Sequence, residues 1–284
     1  MSETVVSAPA VRRRGAASAA WSNARAVYII WYRDVLRYSR ERAQVVASLA
    51  QPLLYLIIFG TGLSSAIGGA RFGPSGANYQ TFIYPGIIGM TILFTSIFGA
   101  MSVVWDREFG FLKEVLVAPI DRSAVAIGKT LGGATRAMIQ GLLLLVLAPL
   151  IGVALSVGSI LGIVVLAFIL AFALSALGVA LAARMRSMQG FQVVMNFLML
   201  PMFFLSGALF PLSGLPDWMT ILTRLDPATY GMDALRRAVL GSAADPLGVS
   251  LFGQIVPIWL EALILIAFGL VMLGLAVRSF QVRD

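Results

Sequence analysis

The chain has 284 residues, 59% of them hydrophobic and only 12% charged, with a net charge of +8. Soluble domains carry about 25% charged residues, so this composition describes an integral membrane protein. The arginines flank apolar runs, so anionic lipid and membrane topology account for the positive charge and nucleic acid does not.

Cysteine and histidine are both absent, which excludes disulfides, thiol nucleophiles and histidine-based metal sites or proton relays. Met1 to Ala20 is polar, alanine-rich and basic at Arg12, Arg13 and Arg14. It lacks the apolar core of a signal peptide, and residues 1–20 are expected to be a disordered cytoplasmic tail ahead of one transmembrane domain, residues 21–284. From Trp21 to Arg42 the pattern is helical. Trp21, Tyr28, Ile29, Trp31, Tyr32, Val35, Leu36 and Tyr38 share one arc, Arg33, Asp34, Arg37, Arg40 and Glu41 lie opposite, and Ile30 breaks the pattern. Aromatic residues facing arginines predict an N-terminal interfacial helix in the headgroup plane.

Six apolar runs follow, near Val45–Leu63, Phe82–Val104, Thr130–Ile151, Ile160–Ala182, Phe191–Phe210 and Ile255–Val277. Each is long enough to cross roughly 30 Å of hydrocarbon at about 1.5 Å per residue. Arginine and lysine concentrate in the N-terminal region, the second and fourth loops and the tail, which predicts that both termini are cytoplasmic. Between the second and third runs lies a charged island, Asp106, Arg107, Glu108, Lys113, Glu114, Asp121, Arg122 and Lys129. Phe111, Leu112, Val115 and Leu116 give it a short helix with one apolar face, and Pro119 ends that helix. So many charges cannot lie in lipid, so the segment sits at the cytoplasmic surface, available to a partner. Gly128-Lys129-Thr130 resembles the end of a phosphate-binding loop, but the required first glycine is Ser123 and no strand precedes it. Lys129 reads instead as a lysine at a membrane entry, and the chain has no visible ATPase site.

The fifth loop is expected to hold two short outer helices that dip into the outer leaflet or lid the bundle. Leu215, Trp218, Leu222 and Leu225 repeat at helical spacing, and Asp226-Pro227 reads as the N-cap and first residue of the second helix. That second helix carries Tyr230, Arg236 and Arg237, and Gly241 can end it. Two charges lie inside runs, Arg136 in the third and Glu261 in the last. Intramembrane charges are functional candidates, yet these two are separated by roughly 15 Å of depth. Snorkelling accounts for Arg136, whereas Glu261 has a candidate partner in Arg236 or Arg237. Phe203 and Phe204, beside Pro201, are candidates for an apolar substrate path, with core or lipid packing as the simpler alternative. Catalytic, cofactor and metal residues are expected to be absent.

The motifs Tyr84-Pro-Gly-Ile-Ile-Gly-Met90, Asp106 to Pro119 with Gly128-Lys129, Phe204 to Pro211, and Leu225 to Arg236 occur in this order across residues 43–277. Together they resemble the membrane subunit of a type-2 ABC exporter, most closely the daunorubicin/multidrug-resistance type of permease. The resemblance implies an all-α integral membrane protein with six transmembrane helices, an N-terminal connecting helix, a cytoplasmic coupling helix and two outer helices before span six. It implies that Asp106, Arg107, Glu108, Phe111, Leu112, Lys113, Glu114 and Pro119 couple to a separate ATPase subunit, which binds ATP and Mg. It assigns an outer gate to the helices carrying Asp226, Pro227, Tyr230, Arg236 and Arg237, which the Glu261 pairing joins. It further implies a homodimer of permeases in a bacterial inner membrane that exports amphiphilic drugs or lipid-like molecules. A polysaccharide or glycolipid exporter of the same class is the alternative. A secondary transporter is disfavoured because it wants midplane carboxylates and repeats, and an intramembrane enzyme because no nucleophile and base are matched.

Overall fold

Lipid offers no hydrogen-bond partners, so a chain this apolar must satisfy its backbone within helices. The computed structural model describes residues 16–63, 79–109, 121–151, 153, 155–241, 244, 247–251 and 254–281. Nearly all the regular structure among them is helical, apart from a two-residue antiparallel ladder pairing Ser250 with Ile255 and Leu251 with Gln254. The helices are α1 (Ala16–Arg40), α2 (Arg42–Ile57), α3 (Tyr79–Gly99), α4 (Met101–Glu108), α5 (Arg122–Val146), α6 (Val157–Ala182), α7 (Met188–Leu205), α8 (Asp217–Leu225), α9 (Pro227–Leu240) and α10 (Ile258–Gln281). A wide turn, Ile58–Leu63, prolongs α2. Pro52, Pro85 and Pro201 lie inside helices, as neighbouring helices in a membrane permit. Ser156 and Ser187 open α6 and α7 as N-caps, each accepting a backbone N–H three residues on.

Among the described residues, five helical segments are long and apolar enough to cross a membrane: Val45–Leu63, Tyr79–Glu108, Val157–Ala182, Met188–Leu205 and Ile258–Gln281. The third run expected from the sequence, Thr130–Ile151, begins inside α5 and ends with the separate turn Ala148–Ile151, and α5 has 25 residues but carries Arg122, Lys129 and Arg136. Helix α1 begins at Ala16, inside the stretch expected to be an unstructured tail, and residues 1–15 lie outside the described residues.

The centre of the bundle is α6, which packs against α10, α5, α3 and α9. Small residues make this possible: Gly178 of α6 approaches Ile97 and Ala100, and Gly133 of α5 approaches Ser175. Gly86 on α3 meets the backbone of Ala208, and a Cβ there would fall on the Ala208 carbonyl. Backbone cannot swing aside as a side-chain tip can. Gly86→Ala is therefore expected to destabilise by about 1–3 kcal/mol. Thermal unfolding in detergent checks this, and an unchanged midpoint would show that α3 and the Gly207–Ala208 turn are not in contact.

Helix α1 has a covered face that the sequence reading did not name, and Ile30, which broke its pattern, and Asp34, from its polar arc, both lie there. Its buried stripe is Ala26, Ile30, Asp34 and Tyr38, whereas Trp21, Tyr28, Ile29 and Tyr32 are exposed. The receiving surface is a glycine row on α5. A Cβ at Gly128 would stand 2.9 Å from Ile30, and one at Gly132 would stand 3.0 Å from the Cβ of Asp34. Helix α1 therefore lies on α5 at close range, with Trp21, Tyr28 and Tyr32 turned away from the bundle and Trp31 donating to Thr135 of α5 at 2.9 Å.

Candidate functional site

The close approach of α1 brings Asp34 to Lys129, and both side chains are buried. Lys129 Nζ donates to Asp34 Oδ1 at 3.1 Å and to Ser102 Oγ at 3.3 Å, and it stands 2.6 Å from Asp106 Oδ2. Arg33 reaches the same Asp106 oxygen at 3.2 Å from the half-exposed edge. Arg136 Nη2 lies 3.8 Å from Asp34 Oδ2 and donates to the Gly99 carbonyl at 2.9 Å. The buried part of this group balances, with two carboxylates against one ammonium and one guanidinium. Balance is what lets charges persist at such burial, because an unpaired one costs several kcal/mol. Lys129 is thus no bare lysine at a membrane entry, and Arg136 does not snorkel.

This group sits at one end of a longer set of anchors around residues 110–120, which lie outside the described residues. On the near side, Arg107 Nη1 donates to the carbonyls of Ala183 and Met185, both at 2.8 Å. Glu108 accepts from the Met188 N–H at 3.2 Å, where negative charge suits the start of α7. On the far side, Asp121 pairs with the Asn23 amide, and Arg122 donates to the Phe280 and Gln281 carbonyls at 3.0 Å. Both flanks of the charged island are therefore fastened to α1, the α6–α7 turn and the end of α10. Of the coupling residues expected from the sequence, Asp106 is turned inward and Arg107 is held by carbonyls of this chain. Glu108 is exposed, and Phe111, Leu112, Lys113, Glu114 and Pro119 lie outside the described residues.

A second buried charge group occupies the opposite end of α10. Asp226 accepts from the Ala228 N–H at 2.9 Å, and Pro227 takes the first position of α9. Gly241 ends that helix at φ +65°, a conformation that favours glycine. Helix α9 is not a surface lid, for it packs against α3, α6 and α10, and Tyr230, Arg236 and Arg237 are all buried. Tyr230 ties it to α8 by donating to the Arg224 carbonyl at 2.8 Å. Arg237 Nη2 is shared between Asp233 Oδ2 at 2.7 Å and Glu261 Oε1 at 2.5 Å. Arg236 turns away from Glu261, donating to the Gly207 carbonyl and laying its guanidinium 4.2 Å from the centre of the Phe82 ring. Asp233, which sequence reasoning did not single out, also accepts from the Val249 N–H at 2.9 Å. Its spacing four residues before Arg237 was the available signal.

The two candidate path residues touch, with ring centroids 5.3 Å apart, but differ in exposure. Phe203 is buried edge-on against Phe94, with centroids 6.0 Å apart, whereas Phe204 is half exposed. The nearby open cleft, of about 370 Å³, is lined by Phe94, Phe98, Gln51, Gln192 and Arg136, among others, and by neither Phe203 nor Phe204. No group of acidic residues able to hold a metal occurs among the described residues.

The profile of the ABC-2 type transporter family matches residues 25–240. The inner membrane transport permease YadH of Escherichia coli (strain K12) is 28% identical over 252 residues, 88% of this chain and 96% of its own length. The putative transport permease ycf38 of Cyanophora paradoxa is 28% identical over 212 residues, 74% of this chain and 72% of its own. Nodulation protein J of Rhizobium meliloti (strain 1021) is 26% identical over 223 residues, covering 78% and 83%.

Proposed function

The chain belongs to the ABC-2 type transporter family, and from that premise we propose that it is the permease subunit of an ATP-driven exporter of amphiphilic, drug-like or lipid-like molecules. The observation that carries this reading is the anchoring of residues 110–120 on both flanks. A partner that hydrolyses ATP must deliver its movement as a push on a segment whose ends are rigidly tied to the bundle. Asp106 and Lys129 tie those ends to α1 and to each other, so a displacement of the segment is passed to α1, α5 and α7 together. In this reading the segment is the coupling helix, with Lys113, Glu114 and the apolar Phe111 and Leu112 on the ATPase. ATP and Mg are bound by that partner.

The same reading takes α5 as the sixth crossing helix, its inward charges neutralised by pairing, and sets both termini in the cytoplasm. Two copies of the chain and two ATPase subunits form the working exporter. The chain itself carries no catalytic step. The group around Arg237 and Glu261 holds α9 inside the bundle as an outer gate.

Purification of the tagged chain together with an ATP-hydrolysing subunit tests the proposal. Lys113→Ala/Glu114→Ala is expected to insert normally and lose capture of that subunit. Truncating one partner of a buried interfacial charge pair costs about 2–5 kcal/mol of association. Undiminished capture by the double variant would remove the coupling role from this segment. A chain that transports without any ATPase would remove the exporter reading altogether.

A further inference from the structure

Helix α8 touches the bundle along one narrow side, against α7 and α9. Thr223 is its buried residue, whereas Trp218, Ile221, Leu222 and Leu225 share an exposed apolar face. Both ends of the helix are joints. Gly214, at φ +79°, and Pro216 precede it, and Asp226 closes α8 and opens α9. The bond that Tyr230 makes to the Arg224 carbonyl crosses from α9 to hold α8 down.

The second joint contains a carboxyl that is only half satisfied. Asp226 is 7% exposed. Its Oδ1 accepts the Ala228 N–H, and its Oδ2 has no partner among the described residues. The elements around it supply no counter-charge. Helices α6 and α7 carry no charged residue. On α8, Asp217 is at the far end, and Arg224 makes no ion pair among the described residues. Tyr230 on α9 is close enough to feel the Asp226 charge, but it is an uncharged phenol turned to Arg224. Asp233, Arg236 and Arg237 lie about two turns or more further along α9 and are committed to one another, to Glu261 of α10 and to the Gly207 carbonyl. Helix α3 offers Tyr79 and Tyr84, whose hydroxyls donate to the Leu209 and Leu144 carbonyls.

Burial accordingly pushes the Asp226 carboxyl up to about 7, against the Ala228 N–H, which pulls it down. A carboxylate in such a place escapes the cost of burial by taking up a proton or by turning into water. Lifting α8 off α7 and α9 gives it water without unwinding either helix.

We infer that Asp226 is a proton-binding site that latches α8 over this end of the bundle, closed when the carboxyl is protonated and released when it is ionised. The inference rests on the exporter reading for one point, that the latch faces outward and senses external pH. Closure takes up the proton. It is therefore strongest below about 4, the value of the carboxyl in water. It weakens by up to about tenfold per pH unit from there and levels off above about 7.

The chain has no cysteine, so single cysteines report on α8 without background. Thr223→Cys lies beneath α8, and Ser213→Cys is exposed just before it. Dithiodipyridine labels both down to acid pH, and the exposed site corrects for ionisation of the thiol. In detergent, the rate at position 223 relative to position 213 is expected to rise at least tenfold from about pH 5 to about pH 8. Asp226→Asn keeps the N-cap and cannot ionise, so it should hold the ratio at its low acid value throughout. A flat ratio with Asp226 in place overturns the inference, as does a slope that survives Asp226→Asn. Neither labelling arm needs an ATPase. A flat ratio removes the latch alone, whereas failed capture of an ATPase subunit bears on the exporter reading and leaves the measured latch standing.

Discussion

Lys129→Met is expected to destabilise the chain by about 3–5 kcal/mol, the cost of removing one member of a buried ion pair. The side chain is 3% exposed and lies between Asp34 and Asp106, whose side chains are 5% and 10% exposed. Without the ammonium, two carboxylates face one another beneath α1 with only Arg33 and Arg136 to compensate, and Arg136 is 3.8 Å from its oxygen. Methionine keeps the length and apolar stem of lysine, so the loss reports charge and not volume. Lys129→Met/Asp34→Asn should recover much of the stability, because Asp106 retains Arg33 and a neutral pair avoids the desolvation cost. Thermal unfolding in detergent reads both variants. If the single variant unfolds at the wild-type temperature, the ammonium is hydrated and the network does not hold the flanks of the charged island. The double variant also separates stability from transmission: a chain that is stable but no longer raises ATP turnover needs the charges themselves.

The contrast between Lys129 and Glu261 explains what the sequence made legible. Glu261 stands alone among Ile, Leu, Ala and Phe in the final helix, and the preceding helix supplies adjacent arginines. An acid without a local partner points to whatever cation the topology brings near, although the choice between Arg236 and Arg237 depended on which face of α9 turned to α10. The start of α9 was legible for a local reason, since an N-cap followed by proline is settled within three residues. Lys129 carried a misleading local resemblance to a phosphate loop, and its partners lie 95 and 23 residues away along the chain.

The buried stripe of helix α1 was not legible, because its aromatic and polar arcs were assigned to the headgroup plane and no protein-facing side was named. Aromatic bulk dominates its apolar arc, but in a bilayer apolar bulk faces lipid as comfortably as protein. Small and polar residues instead mark the protein-facing side, and Ala26 and Asp34 do so here. The signal that could have found it is Gly128 with Gly132, four residues apart on α5. The same rule bears on α5 itself, whose charges lower its hydropathy below that of the other five long apolar segments but point into the bundle. The segment proposed to couple was legible as an island of charge, and the way its flanks are fastened was not, because most of those bonds end on backbone carbonyls. Sequence identity says nothing about such acceptors.

Arg237→Met should cost about 3–5 kcal/mol by the same argument as at Lys129, and it tests the opposite end of the bundle. The guanidinium bridges Asp233 and Glu261, both 0% exposed, so its loss leaves two fully buried carboxylates on facing helices. Glu261→Gln should be milder, because Asp233 and Arg237 remain a matched pair within α9 and the amide keeps the carboxyl's shape. What Gln loses is the charged tie between α9 and α10, so the expected sign of a gate is raised leak or basal ATP turnover with little change in unfolding temperature. Charge exchange distinguishes the two arginines. Glu261→Arg with Arg237→Glu should partly restore the wild-type behaviour, because the contact is direct at 2.5 Å. Glu261→Arg with Arg236→Glu should not, because Arg236 is committed to the Gly207 carbonyl and the Phe82 ring. Equal rescue by both exchanges would mean that only the net charge of α9 matters, and a Glu261→Gln chain with unchanged leak and turnover would leave this pair a structural tie with no part in gating.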